Sequence, residues 1–217
     1  MADGRIAFIS TRCERVVLCH NAFTVSVLYT MDADGGNVRC ISTNTINLQD
    51  QLIGKDLPNL RALAPFDVRA ALLKGRSNYL CMRRLRAFQE RLERVGTPTD
   101  DELTVLARLL AWLPQTSTGD RAELVLYEAR AQEAWAEVSA EAHSCTGAFC
   151  PFFRRKTCFF YAARQAAERA HVIVVNHALL LSDVAAENRV LPAYSYLIVD
   201  EAHHLESATT YQLGQAT

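Results

Sequence analysis

Two short apolar runs dominate the hydrophobic pattern of the chain's last quarter. HVIVVNHALLL (171–181) is a β-branched run that passes into a helical pattern after Asn176. YSYLIVDEAHHLE (194–206) repeats the design, an apolar run with acids where the run stops. Neither alternates apolar with polar, and strands buried on both faces read that way. NVRCISTNTINLQDQL (37–52) predicts a third strand, ending at Ser42 and Thr43, and then a helix through Leu52. Between these segments the apolar positions change to helical spacing. RLRAFQERLER (84–94) is amphipathic, and Thr99 with Glu102 forms a capping box ahead of a helical pattern that Pro114 stops. Asp120 with Glu123 predicts a similar start for a helix through the 130s, and a further helix is expected at about 157–169. The expected fold class is α/β: a parallel sheet interrupted by a helical insertion that fills roughly 82–170.

Composition narrows the picture only a little. Half of the 217 residues are hydrophobic, which is ample for a core, and the formal net charge of −1 excludes a globally basic, histone-like protein. Nucleic-acid contact would have to come from local patches. Lysine occurs only at 55, 74 and 156, so the cations are nearly all arginine. Residues 16–31, VVLCHNAFTVSVLYTM, are the one stretch resembling a targeting segment. His20 and Asn21 interrupt it, it is too short to span a bilayer, and it lacks a small-residue cleavage site. The expectation is a cytoplasmic protein without membrane contact. Seven cysteines are an odd number and do not resemble a secreted disulfide scaffold, so clustered thiols point to metal or catalysis.

Three of those cysteines lie in SCTGAFCPFFRRKTCFFYAAR (144–164). With Cys81 they make a set, Cys81, Cys145, Cys150 and Cys158, with 63, 4 and 7 residues between them. Four thiolates suffice for a [4Fe–4S] cluster. They also bind zinc, with His143 or His171 as substitutes, although a Cys-x-x-Cys knuckle is lacking. By spacing alone the cluster, zinc and unliganded thiols all stand open. Arg154, Arg155 and Lys156 sit inside the loop among phenylalanines, a combination suited to single-stranded DNA. A solvated turn with aromatics packed as a dry wall is the plain alternative, and Arg83, Arg84 and Arg86 read either way. In LIVDEAHH a buried strand delivers Asp200 and Glu201 to a sheet edge, where an Asp can hold Mg²⁺ and the next acid can position water. His203 would couple that site to a neighbouring element. Two acids at a helix start are the plain alternative.

The DEAH tetrad, VVNHALLLSD, LLKGRSNYLC (72–81) and ISTNTINLQDQL (41–52), in that family's order, resemble the DinG-type helicases, superfamily-two DNA helicases related to XPD. The resemblance runs from about residue 40 onward. It implies a RecA-like motor part at 40–80 with motif Ia, a helical iron–sulfur domain at 81–170 and a second RecA-like part at 171–217 with the DEAH box. It further implies a [4Fe–4S] cluster on Cys81, Cys145, Cys150 and Cys158, and ATP with Mg²⁺ at Asp200 and Glu201. Thr43 and Asn44, as motif Ia, would grip a phosphate of single-stranded DNA or a DNA junction.

Residues 1–39 depart from the family's pattern. A helicase motor needs a P-loop, Gly-x-x-x-x-Gly-Lys-Ser/Thr, and residues 1–40 contain only Gly4, Gly35 and Gly36 and no lysine. The second motor domain is also lacking. The expectation is an N-terminal fragment or degenerate copy, catalytically incomplete alone and dependent on a complementary helicase chain for ATP turnover. A zinc-binding nucleic-acid or protein interaction module is the alternative, and a remnant without a stable fold is a third.

Overall fold

The structure is a computed structural model that describes residues 39–43, 49, 52–56, 58, 68–126, 128–200, 202–204 and 209. Segment 1–39, apart from its last residue, and the helix expected after Thr43 fall largely outside them. The chain divides into two compact units, one formed by residues 1–74 and 165–217 and the other by 75–164.

The first unit is built on a four-stranded, all-parallel sheet. Its strands are β1 (Arg39–Thr43), β2 (Ala70–Leu72), β3 (Val172–Asn176) and β4 (Tyr196–Val199), in the order β2-β3-β1-β4. The α/β class and parallel sheet read from the sequence therefore hold. Val172, Ile173, Val174 and Val175 are all fully buried, because β3 has a strand on either side and both its faces are covered. The edge strand β2 alternates instead, with only Ala71 of its three residues buried. The Leu73 amide continues the ladder to the Val174 carbonyl at 2.9 Å. Each buried Val or Ile side chain contributes about 1.5–3 kcal/mol.

Asn176 ends β3 and caps the next helix, its Oδ1 accepting from the Leu179 amide at 2.8 Å. After that helix, His177–Ala185, the chain turns through Glu187 and Asn188, both left-handed, towards β4. Asp183 organises the turn. It is 1% exposed, and one carboxylate oxygen accepts from the amides of Val190 and Leu191, both at 2.8 Å.

The second unit is helical, with α1 (Met82–Val95), α2 (Asp100–Trp112), α3 (Ala129–Val138), the single turn α4 (Pro151–Arg154) and α5 (Phe159–Glu168), which runs on into the first unit's residues. The helix at 177–185 is α6. Leu85, Phe88 and Leu92 put one stripe of α1 against Val105 and Leu109 of α2 and Ala131, Ala134, Trp135 and Val138 of α3. Trp135 meets Trp112 edge-to-face at 6.4 Å and donates its indole N–H to the Ser77 carbonyl at 2.8 Å. The capping box at Thr99 and Glu102 is present in full, and α2 ends two residues before Pro114.

One expected helix differs. Asp120 caps only a short 3-10 turn, Arg121–Glu123, and the helix of the 130s starts separately after Glu128. Asp120 is bridged to Tyr79 in antiparallel fashion, and Leu124 is extended, so the turn cannot propagate; Leu126 enters the core from this irregular segment.

Replacing Asp183 by Ala leaves two amides without their acceptor, one of them on the buried Leu191. The expected loss is about 3 kcal/mol. Asp183→Asn, which keeps an acceptor oxygen, should lose less. Urea unfolding of both variants checks this.

Candidate functional site

Parallel pairing brings three strand ends to one edge of the first unit's sheet. Thr43 of β1 is in register with Asn176 of β3, and Ser42 is in register with Val199, the last residue of β4. This is the carboxyl edge, where open α/β sheets bind ligands. Asp200 follows β4 there. Its amide donates to the Ser42 carbonyl at 2.8 Å, and its own carbonyl accepts from His177 Nε2 at 2.9 Å. The chain then makes a 3-10 turn, Ala202–His204. The backbones of Thr43 and His203 belong to the described residues and their side chains do not; Asn44 and Glu201 lie outside altogether.

His177, the histidine of VVNHALLLSD, joins the start of α6 to the residue that opens the acidic segment. It is 1% exposed, and its Nδ1 has no partner among the described residues. Burial holds its imidazole below the usual value, opposed by the Asp200 and Ser42 carbonyls, which favour the protonated ring.

The second unit gathers the four cysteines. Cys81 is the N-cap of α1, with its amide on the Val138 carbonyl at 2.8 Å. Cys150 is the N-cap of α4, with Pro151 at the first helical position. The Cys158 carbonyl accepts the first amide bond of α5, from Ala162 at 2.9 Å. Cys145 lies on the connecting loop and is exposed, Cys150 is buried, and Cys81 and Cys158 are half-buried. The Cys158 thiol is pushed above its usual value, first by burial and then by the charges Cys81, Cys145 and Cys150 would carry, against a backbone bond from Tyr161. The other three thiols thus lie within electrostatic reach of Cys158. Among the described residues, however, no three His, Cys, Asp or Glu side chains are drawn tightly enough to hold a metal ion as they stand. His171, a possible zinc substitute, faces Arg69 instead, with ring nitrogens 2.7 and 3.2 Å from its Nη2 and its amide.

Two of the arginines after Cys81 make hydrogen bonds within the unit. Arg83 donates to the Ser144 carbonyl. Arg84 caps α3 through the carbonyls of Ala136 at 2.8 Å and Glu137 at 2.7 Å, pairs with Glu141, and donates to the Ser144 hydroxyl at 3.2 Å. Together they hold the residue before Cys145, so α1 positions two members of the thiol set. Arg86 lies 4.9 Å from the Phe152 ring. Arg154, Arg155 and Lys156 are all exposed. The aromatic residues around them are engaged in packing: Phe153 on Tyr161 at 4.5 Å, Phe160 on Tyr79 at 5.8 Å, and Phe159 against the core and Gly119. Phe149, unmarked in the sequence, is the exception at 90% exposed.

A depressed His177 pKa means that the unfolded chain binds this proton first. The stability linked to it is complete above about pH 6.5 and falls as pH drops towards the lower folded value. His177→Gln should flatten the dependence of the urea midpoint on pH between about 7 and 5.

Residues 137–214 match the DEAD_2 family. The chain is 41% identical over 185 residues to a protein named ATP-dependent helicase DinG of Mycobacterium tuberculosis, covering 78% of this chain and 27% of that protein. It is 37% identical over 180 residues to ATP-dependent DNA helicase YoaA of Escherichia coli, covering 81% and 27%. It is also 37% identical over 180 residues to a Bacillus subtilis protein named 3'-5' exonuclease DinG, covering 81% and 18%. The chain thus spans about a quarter or less of the length of these relatives. With the DEAH segment at a parallel-sheet edge inside the DEAD_2 match, the chain is similar to part of the DinG-like superfamily-two helicases.

Proposed function

We propose that the chain serves an ATP-dependent DNA helicase of the DinG/XPD type, in which ATP hydrolysis drives unwinding during DNA repair or replication. In this reading the sheet unit is part of a RecA-like motor domain and the helical unit is its iron–sulfur insertion. The observation that carries the reading is the convergence of Cys81 with Cys145, Cys150 and Cys158, far apart in sequence, within one unit that also exposes Arg154, Arg155 and Lys156.

The donor set suits a [4Fe–4S] cluster. A single zinc draws four sulfurs to about 2.3 Å from one centre, whereas a cube anchors each thiolate on its own iron. Four cysteine thiols without a Cys-x-x-Cys knuckle suit the larger group. When bound, the cluster would supply a structural cross-link and a redox couple. Cys81 would tie α1 to the loop that Arg83 and Arg84 already hold, and Cys150 and Cys158 would fix the two ends of the basic loop. The exposed cations would meet the phosphates of single-stranded DNA or a junction, with Phe149 free to stack on a base.

At the sheet edge Asp200 would hold Mg²⁺ on the nucleotide, Glu201 would position the attacking water, and His203 would couple this site to a neighbouring element. Thr43 and Asn44 would bind a DNA phosphate. His177 contributes by anchoring the Asp200 main chain. The sequence Gly-x-x-x-x-Gly-Lys-Ser/Thr does not occur in the 217 residues, so these residues do not themselves supply the phosphate-binding lysine. The 217 residues alone should show no steady ATP turnover with or without single-stranded DNA.

Protein purified without oxygen should carry about four irons and matching sulfide per chain. Cys150→Ser should lose both, together with the visible absorbance. Zinc in place of iron would reject the cluster and favour a zinc-binding interaction module.

A further inference from the structure

A cavity of about 450 Å³ opens in the helical unit, within the size range of small-ligand sites. Met82, Phe152 and Phe159 form apolar walls, and Arg155 and Lys156 stand at its lining. Cys158 alone of the four thiols borders it, so it is a space beside the thiol set and distinct from it. Two of its walls are fixed. The Arg86 guanidinium covers Phe152, and Phe159 lies so close to Gly119 that a Cβ there would meet the ring at 2.3 Å. A preformed aromatic slot costs little ordering when a planar ligand enters.

Lys156 points to the charge of that ligand. It ends α4 in the left-handed region at φ 58°, with its amide on the Phe153 carbonyl at 3.0 Å and the Thr157 amide on the Phe152 carbonyl at 2.9 Å. This is a Schellman closure, the position where glycine is the unstrained choice. A lysine sits there instead, exposed, next to the exposed Arg155 and against the cavity. The combination of aromatic walls with two cations matches one planar ring carrying a phosphate.

We propose that the cavity receives one unstacked nucleobase of a bound single strand, whose phosphate is held by Arg155 and Lys156. This deepens the DNA-binding reading of the same loop and rests on it. It makes the loop a seat for an individual nucleotide as well as a charged surface.

The test uses the full chain and two single-stranded probes of about a dozen units, oligothymidylate and an abasic backbone of equal length. Ala162 lines the cavity from an exposed position on α5, so Ala162→Phe fills the space without entering the core. This variant should bind oligothymidylate about tenfold more weakly, bind the abasic probe as the wild type does, and keep its salt dependence. Lys156→Gly relieves the backbone while removing the charge. Its slope of log affinity against log salt should fall by about 0.7, with no loss in unfolding midpoint. If Ala162→Phe binds oligothymidylate like the wild type, or weakens both probes equally, the cavity holds no base and the proposal fails. If the wild type binds neither probe, the DNA-binding reading itself fails.

Discussion

Everything in the sheet unit depends on one pairing. β3 must enter between β1 and β2, although the backbone and ring contacts that begin this ladder, between Arg69 and His171, join residues 102 apart in sequence. Parallel neighbours cannot be joined by a tight turn, so a crossover of some kind is unavoidable. Here the chain between β2 and β3 includes the whole helical unit. The strand that closes the gap is almost entirely β-branched and fully buried, and a one-residue slip would break its register with both neighbours at once.

That register also determines which groups share the sheet's carboxyl edge. With Thr43 opposite Asn176 and Ser42 opposite Val199, the chain leaving β4 must place Asp200 beside the ends of β1 and β3. His177 then spans the gap with a hydrogen bond to the Asp200 carbonyl, so a buried neutral ring secures the start of the acidic segment.

In the helical unit a different device operates. Arginines that look like a nucleic-acid patch in the sequence are used inside the fold: Arg84 caps α3, and with Arg83 it grips Ser144. Guanidinium groups suit this work because one planar fork can satisfy several carbonyls at a helix end. Within the cysteine loop the cations of the 154–156 triplet stay exposed, where the helix is only one turn long and offers few carbonyls to cap.

Local physics was legible in the sequence. The uninterrupted apolar runs before Asn176 and Asp200, the capping box at Thr99 and the helix stop near Pro114 each depend on neighbours a few residues away, and each is present. The order of the strands, the failure of Asp120 to start a long helix, the internal use of Arg83 and Arg84, the bond from His177 to the end of β4 and the exposure of Phe149 were not legible, although Asn176 and His177 read as fixing the turn after their strand. Asp120 is held by Tyr79, Arg84 by α3, and His177 by the end of β4, all partners remote in sequence. The sequence by itself determined which segments become strands and helices and which residue types carry chemistry, because those follow from short-range periodicity and side-chain character. Only the tertiary structure decided which of those residues are used up in packing and which remain free to act, because that depends on partners brought close by the fold.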